Sequence, residues 1–261
     1  MEDVQNRFDT RGVDIQKVGI KGFELPILVQ RKNANDIIVY SSATAGVSLP
    51  AHYKGTHMSR FVEVLNEWGL KKNGNIKDCV QDIVIKLNAK SGYIKFNFKY
   101  FINKFSPITQ IEAPMCYDCF FEGILENYGD EDEEYRFYIG AKVPVTTLCP
   151  CSKEISDYGA HNQRAIVSVK LTYPEDEHIW LEDIISDIEK CASSELYPLL
   201  KREDEKYVTE HAYDNPKFVE DVLRDVVLLL RKNDIIDSFE VECESLESIH
   251  NHSAWAYQQE G

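Results

Sequence analysis

Apolar and polar residues alternate with period two over residues 92–103. Ile94, Phe96, Phe98, Tyr100 and Ile102 fall on one side, Lys95, Asn97 and Lys99 on the other, which predicts a half-buried strand. Residues 14–29, 36–48 and 109–121 read as further strands. Between them the period changes. Phe61, Val64, Leu65 and Trp68 form one helical stripe; Ile76, Cys79, Val80, Ile83, Val84 and Leu87 form a second. The later half repeats the order. Tyr135, Phe137, Ile139, Ala141, Val143 and Val145 alternate, and so do Ala165, Val167, Val169, Leu171 and Tyr173. A helix follows on Leu181, Ile184, Ile185 and Ile188. A second is expected to open at Asn215-Pro216, a capping residue before a proline, and to carry Phe218, Val219, Val222, Leu223, Val226 and Val227. Phe239, Val241 and Cys243 mark a closing strand.

Five consecutive acids, Asp130 to Glu134, separate the halves. Such a run repels itself and predicts a solvated turn. The expected architecture is therefore α+β: two tandem strand-strand-helix-helix-strand-strand modules, residues 1–129 and 130–261, with antiparallel sheets and helices on one face.

Composition narrows the function. The 261 residues carry a formal net charge of −15, which argues against a nucleic-acid binder or a protein docked on anionic lipid, since both need a basic footprint. The longest apolar runs, such as residues 226–230, are far short of the ~20 needed to span a bilayer. The first fourteen residues lack the apolar core of an export signal. Seven cysteines, an odd number, fit a reducing cytoplasm better than a disulfide framework.

The chemistry concentrates in LCPCSKEISDYGAHNQR, residues 148–164. A strand runs into Cys149-Pro150-Cys151, a polar turn follows, and His161 precedes the next strand. If those strands pair, thiolate and imidazole can share a divalent ion such as Zn²⁺. The plain alternative makes Cys149 and Cys151 small buried hydrophobes. Cys116 and Cys119 raise a four-cysteine zinc site with Cys149 and Cys151, but the C-P-C spacing matches a zinc ribbon poorly. A second cluster, Glu247-Ser-Ile-His250-Asn-His252, puts Glu247 and His250 within reach of one ion if they share a helical turn; otherwise it is a solvated acidic loop. Glu205 reads as a surface charge, and Glu220 as a partner for Arg224 at i+4. Lys54, His57 and Arg60 form a small basic group at a helix start, where anions are favoured.

These segments, with KGTHMSRF, LLKREDEKYVTE, YDNPKFVED and ESIHNHSA, resemble the type IB GTP cyclohydrolases, a metal-dependent branch of the tunnelling-fold enzymes. The matches run in order from about residue 36 to the C-terminus. CPCSKEIS followed by GAHNQR carries most of the specificity. Glu203 stands where that family pattern leads one to expect a proline. The resemblance implies a homotetramer around a tunnel, sites at subunit interfaces, and conversion of GTP and water to 7,8-dihydroneopterin triphosphate and formate, the entry step to folate and related pterins.

By the same resemblance, Cys149 and His161 are catalytic, and Cys149, His161, Glu205, Glu247 and His250 hold one divalent metal, Zn, Mn or Fe. Glu220 anchors the purine base, and Lys54, His57, Arg60 and Arg164 neutralise the triphosphate. Two other readings are a tunnelling-fold nitrile reductase of queuosine biosynthesis, whose NADPH-binding motif is not visible here, and a non-catalytic metal-binding scaffold.

Overall fold

The computed structural model describes residues 4–5, 7–71 and 75–261. Met1, Glu2, Asp3 and Asn6, part of the opening segment discussed above, lie outside the described residues, as do Lys72, Asn73 and Gly74. Two compact units are present, one of residues 1–99 and 120–138, the other of residues 100–119 and 139–261.

In the first unit β1 (Ile15–Val29) and β2 (Ile37–Leu49) pair antiparallel, from Val29 opposite Ile37 to Ile15 opposite Leu49. β2 then pairs with β3 (Gly92–Phe105), Ser41 facing Phe98 and Val47 facing Gly92. The two expected helical stripes are α1 (Met58–Trp68) and α2 (Ile76–Leu87), which bury the residues their periodicity singled out, except that Leu87 is not among the buried residues of α2. Trp68 stacks on Phe96 with ring centroids 4.9 Å apart. The side chain of Asn75 accepts from the Lys77 amide at 2.8 Å to cap α2, and Asn88 ends it at φ 52°. Gly92 is required by packing: a Cβ there would stand 2.5 Å from Val84 Cγ2 and 2.9 Å from Val80 Cγ2, so only glycine lets α2 lie against the start of β3. The acidic run forms the turn between β4 (Glu112–Glu126) and β5 (Glu134–Leu148), with Asn127 and Gly129 in the left-handed region and Lys90 Nζ 2.6 Å from Asp130.

In the second unit β5 pairs with β6 (Asn162–Thr172), β6 with β8 (Ser238–Ser245), and β8 with β9 (Ala254–Glu260), all antiparallel. The short β7 (Ser194–Glu195) adds to β5. α4 (Leu181–Glu189) buries Ile184, Ile185 and Ile188, and α6 (Val219–Leu230) buries Val222, Val226, Val227 and Leu230. Each such side chain contributes ~1.5–3 kcal/mol on leaving water, which is why these stripes were legible.

Three expectations need correction. α5 (Arg202–Asp214) was not foreseen, because it buries only Asp204 and Ala212 and so carries no apolar stripe. Asn215 does not open the last helix. It closes α5, and its amide donates to the carbonyls of Ala192 and Ser193; α6 starts after Phe218, with Asp221 bonding back to the Phe218 amide at 3.1 Å. β4 begins later than expected, at Glu112, because Ser106 and Ile111 close a turn with Gln110 at φ 55°.

Asp204 supplies what α5 lacks in apolar contact. Its carboxylate accepts from the amides of Ile108, Thr109 and Lys201, each at 2.9 Å, and from the Thr109 hydroxyl at 2.6 Å. Burial pushes this carboxyl up, but those donors, Thr109 first, outweigh it and hold it well below the usual carboxylate range. Lys104 likewise bonds Glu189 at 2.8 Å and Glu195 at 2.9 Å, and Tyr117 donates to Glu189 at 2.8 Å. No helix among the described residues is long and apolar enough to cross a membrane.

Candidate functional site

Three neighbouring strands of the second unit deliver the site. Thr147 near the end of β5 faces Gln163 near the start of β6, and Ala165 of β6 faces Ser245 at the end of β8. Because side chains repeat every second residue along a strand, Gln163 lies on the same face as the buried Ala165 and Val167. Arg164 lies on the opposite face and is exposed.

The connection between β5 and β6 holds the sulfur and the imidazole together. The Cys149 amide donates to the His161 carbonyl at 3.1 Å. α3 (Pro150–Ile155) starts on Cys149, whose Sγ accepts from the Ser152 amide at 3.4 Å. The Ser152 hydroxyl donates to the Cys149 carbonyl at 3.0 Å and accepts from the His161 amide at 3.1 Å. Lys153 Nζ donates to the Tyr213 carbonyl and lies 4.2 Å from that ring's centre, and the Lys217 amide donates to the Leu148 carbonyl at 3.0 Å. These bonds bind the loop to the end of α5. Cys149 and His161 are half-buried, whereas Cys151 is exposed, which removes the reading of Cys151 as a core residue.

Behind His161 runs a polar network. His161 Nδ1 stands 2.9 Å from Gln163 Oε1, and Gln163 Nε2 donates to Thr147 Oγ1 at 3.2 Å and to Glu247 Oε1 at 3.4 Å. Ser245 donates to the same Glu247 oxygen at 3.1 Å. Cys149, His161 and Glu247 are thus brought to one strand end. Glu205 is exposed on α5, next to the anchored Asp204. His250 is exposed in the β8–β9 connection and stacks on His252, centroids 5.2 Å apart. That connection is a bend and not a helical turn, so Glu247 and His250 do not share a helix face. Among the described residues no three His, Cys, Asp or Glu side chains are grouped to hold a metal ion.

Glu220 is exposed in the first turn of α6. Arg224 pairs with Asp221 at 3.1 Å, leaving the expected Glu220–Arg224 pair unmade. Burial, with Glu220 and then Glu242 nearby, pushes the Cys243 thiol up to about 12, so Cys243 is a neutral core residue. Cys119 is buried and Cys116 exposed.

In the first unit Lys54 is exposed on the turn before α1, its amide donating to the Arg7 carbonyl at 3.1 Å. His57 precedes the first residue of α1, and Arg60 donates to the Lys86 carbonyl at 3.3 Å.

Thr147, Ser152, Gln163 and Ser245 were not assigned roles from sequence. One signal was present: Gln163 follows His161 by two residues at a strand start, the spacing that puts both on one face.

A family description, type I GTP cyclohydrolase FolE2, matches residues 1–256. The chain is 47% identical over 257 residues to a protein named GTP cyclohydrolase FolE2 from Syntrophotalea carbinolica, covering 98% of this chain and 94% of that protein. It is 49% identical over 258 residues to one of the same name from Thermosipho africanus, covering 98% and 96%. Among solved structures, a uricase from Bacillus fastidious superposes with a TM-score of 0.55 at 7% identity, covering 94% of this chain and 92% of that one. The uricase of Arthrobacter globiformis gives 0.52 at 10%, with the same coverage. That likeness is one of fold: the chain has the α+β tunnelling fold.

Proposed function

The chain belongs to the type I GTP cyclohydrolase FolE2 family, and from that membership we infer the reaction and the part each site residue plays in it. The protein is a GTP cyclohydrolase, opening the imidazole ring of GTP by hydrolysis to give 7,8-dihydroneopterin triphosphate and formate, the first step towards tetrahydrofolate. The observation that carries the site assignment is the convergence of Cys149, His161 and the Gln163–Glu247 pair on one strand end. Neither the nitrile reductase nor the scaffold reading is favoured by relatives this similar.

The donor chemistry fits a divalent cation. Thiolate sulfur, imidazole nitrogen and carboxylate oxygen together suit Zn²⁺, Mn²⁺ or Fe²⁺, and His161 has one ring nitrogen engaged by an amide oxygen, the usual support of a ligating histidine. Cys149, His161, Glu205, Glu247 and His250 are the proposed ligands. When bound, such an ion supplies the Lewis acidity that makes water a usable nucleophile near neutral pH.

The chain's own residues do the rest. Glu220 accepts from the N–H edge of guanine, a charge-assisted pair that fixes the base and aims its imidazole carbon. By the same family resemblance, His161 also serves the proton transfer to the ring nitrogen as the ring opens. Lys54, His57, Arg60 and Arg164 meet the triphosphate. A homotetramer with sites between subunits, a repeat boundary at 129/130 and a cytoplasmic location complete the proposal; seven free cysteines suit that compartment.

Purified protein incubated with GTP and a divalent metal should release formate and a product of the mass of 7,8-dihydroneopterin triphosphate. GTP recovered intact under every metal tried would overturn the assignment.

A further inference from the structure

We propose that Gln163 is a positioning residue that fixes the tautomer of His161, relaying the orientation imposed by Glu247. The inference rests on His161 acting in the reaction and adds to it which ring nitrogen acts and why.

Glu247 fixes one end of the network. Gln163 Nε2 donates to Glu247 Oε1 at 3.4 Å. The other Nε2 contact, 3.2 Å to Thr147 Oγ1, is equally satisfied by a donor. Turning the amide over would give up both Nε2 donor contacts and set the amide oxygen facing two oxygen atoms. The orientation follows from the network in this way. Oε1 is then the atom facing His161 Nδ1 at 2.9 Å, and an amide oxygen has no proton to give, so Nδ1 carries it. In the neutral ring the lone pair is left on Nε2.

The surroundings hold this arrangement. Thr147 and Ser245 are both buried, lie 3.3 Å apart at their hydroxyls, and Ser245 donates to Glu247 Oε1. Ser248 Oγ lies 3.5 Å from Gln163 Oε1 and 3.4 Å from His161 Nδ1. Both are longer than the Gln163 bond, so Ser248 is a second donor to the amide oxygen and not the partner that sets the ring. Imidazole in water favours the proton on Nε2, so without an acceptor at Nδ1 the reactive nitrogen would mostly be blocked.

The test uses the full chain with ring-¹⁵N-labelled histidine, metal-free or zinc-loaded, at a pH where the ring is neutral. Nitrogen–proton correlation of His161 should show Nδ1 protonated and Nε2 bare in the wild type. Gln163→Leu should move the metal-free ring largely to the Nε2–H form and lower kcat at least tenfold with little change in KM. Gln163→Glu combined with Glu247→Gln keeps an oxygen at Nδ1 and a donor opposite the new carboxylate, and should keep the Nδ1–H form in the metal-free chain. A purely structural role predicts that the two variants behave alike. Wild-type His161 protonated at Nε2 in the metal-free chain, or Gln163→Leu with unchanged tautomer and kcat, overturns the inference. His161→Ala separates the two levels: if it turns over GTP at the wild-type rate, the role of His161 itself fails, whatever Gln163 does.

Discussion

Cys149 and His161 are twelve residues apart in the chain and joined by their backbones, the amide of one donating to the carbonyl of the other at 3.1 Å. Ser152 bonds both, accepting the His161 amide and donating to the Cys149 carbonyl. The loop is held chiefly by main-chain bonds and one hydroxyl; Cys149 Sγ adds one long contact, 3.4 Å from the Ser152 amide, and His161 commits Nδ1 to Gln163. The loop's closure rests little on the thiol or on imidazole Nε2.

It follows that Cys149→Ala should leave the fold intact while removing function. Circular dichroism and the elution volume should match the wild type, while kcat for formate release from GTP falls by ~10²-fold or more. Turnover within threefold of wild type would remove the sulfur from the reaction.

Glu220 is exposed at the start of α6, and Arg224 pairs with Asp221 instead of with it. Replacing Glu220 by alanine should disturb the fold little and GTP binding strongly. Loss of a charged hydrogen bond is worth about 1.5–3 kcal/mol, or a rise of ~10–100-fold in the GTP dissociation constant. Calorimetric titration with a non-hydrolysed GTP analogue measures it.

Metal dependence has a direct readout. Chelator should abolish formate release, and Zn²⁺, Mn²⁺ or Fe²⁺ added back singly should restore it; the ion restoring most at stoichiometric loading is the preferred one. Activity that survives exhaustive chelation, with no metal found by elemental analysis, would contradict the five-ligand assignment.

Asp204 predicts a pH dependence. Its carboxyl is held below the unfolded value of about 4, so the folded state binds fewer protons than the unfolded chain in that range. Its stabilising contribution is complete above the unfolded value and is lost as pH falls through the depressed folded value. Asp204→Asn should lower Tm at pH 7 and flatten the decline of Tm below pH 4. A variant whose acid limb parallels the wild type would show that Asp204 does not carry the effect.

Lys104 and Glu189 are nearly enclosed, at 10% and 4% exposure, and burial pushes the Glu189 carboxyl up against the pull of Lys104. Removing one partner strands the other, so Lys104→Met should cost about 3–5 kcal/mol, and replacing both by apolar residues should recover much of it. Urea unfolding of the single and double variants gives the two values.

The contrast between α2 and α5 shows how far the residues alone could be read. α2 buries five apolar side chains at helical spacing, and that periodicity is written in the chain. α5 is held by one buried carboxylate whose donors lie at Ile108 and Thr109, about 95 residues away, and no local pattern records so distant a bond. The same holds within the site. Cys149 and His161 were legible because a motif and a strand-turn-strand pattern enclose them. The reach of Glu247 to Gln163 depends on β8 lying beside β6, a pairing between segments some 80 residues apart.

Short-range physics is written in the order of residues, and it encodes the α+β class, the strands and apolar helices, the turn of five acids, and the cysteine and histidine at the mouth of one loop. Side-chain periods of two and 3.6 residues and the self-repulsion of like charges act over a few positions, so they leave a trace in the order of residues. Long-range packing, by contrast, makes Asn215 close a helix instead of opening one, makes Asp204 the anchor of α5, and joins His161, Gln163 and Glu247 in one chain of hydrogen bonds. Those contacts depend on register between distant strands, which is set by the packing of the whole sheet.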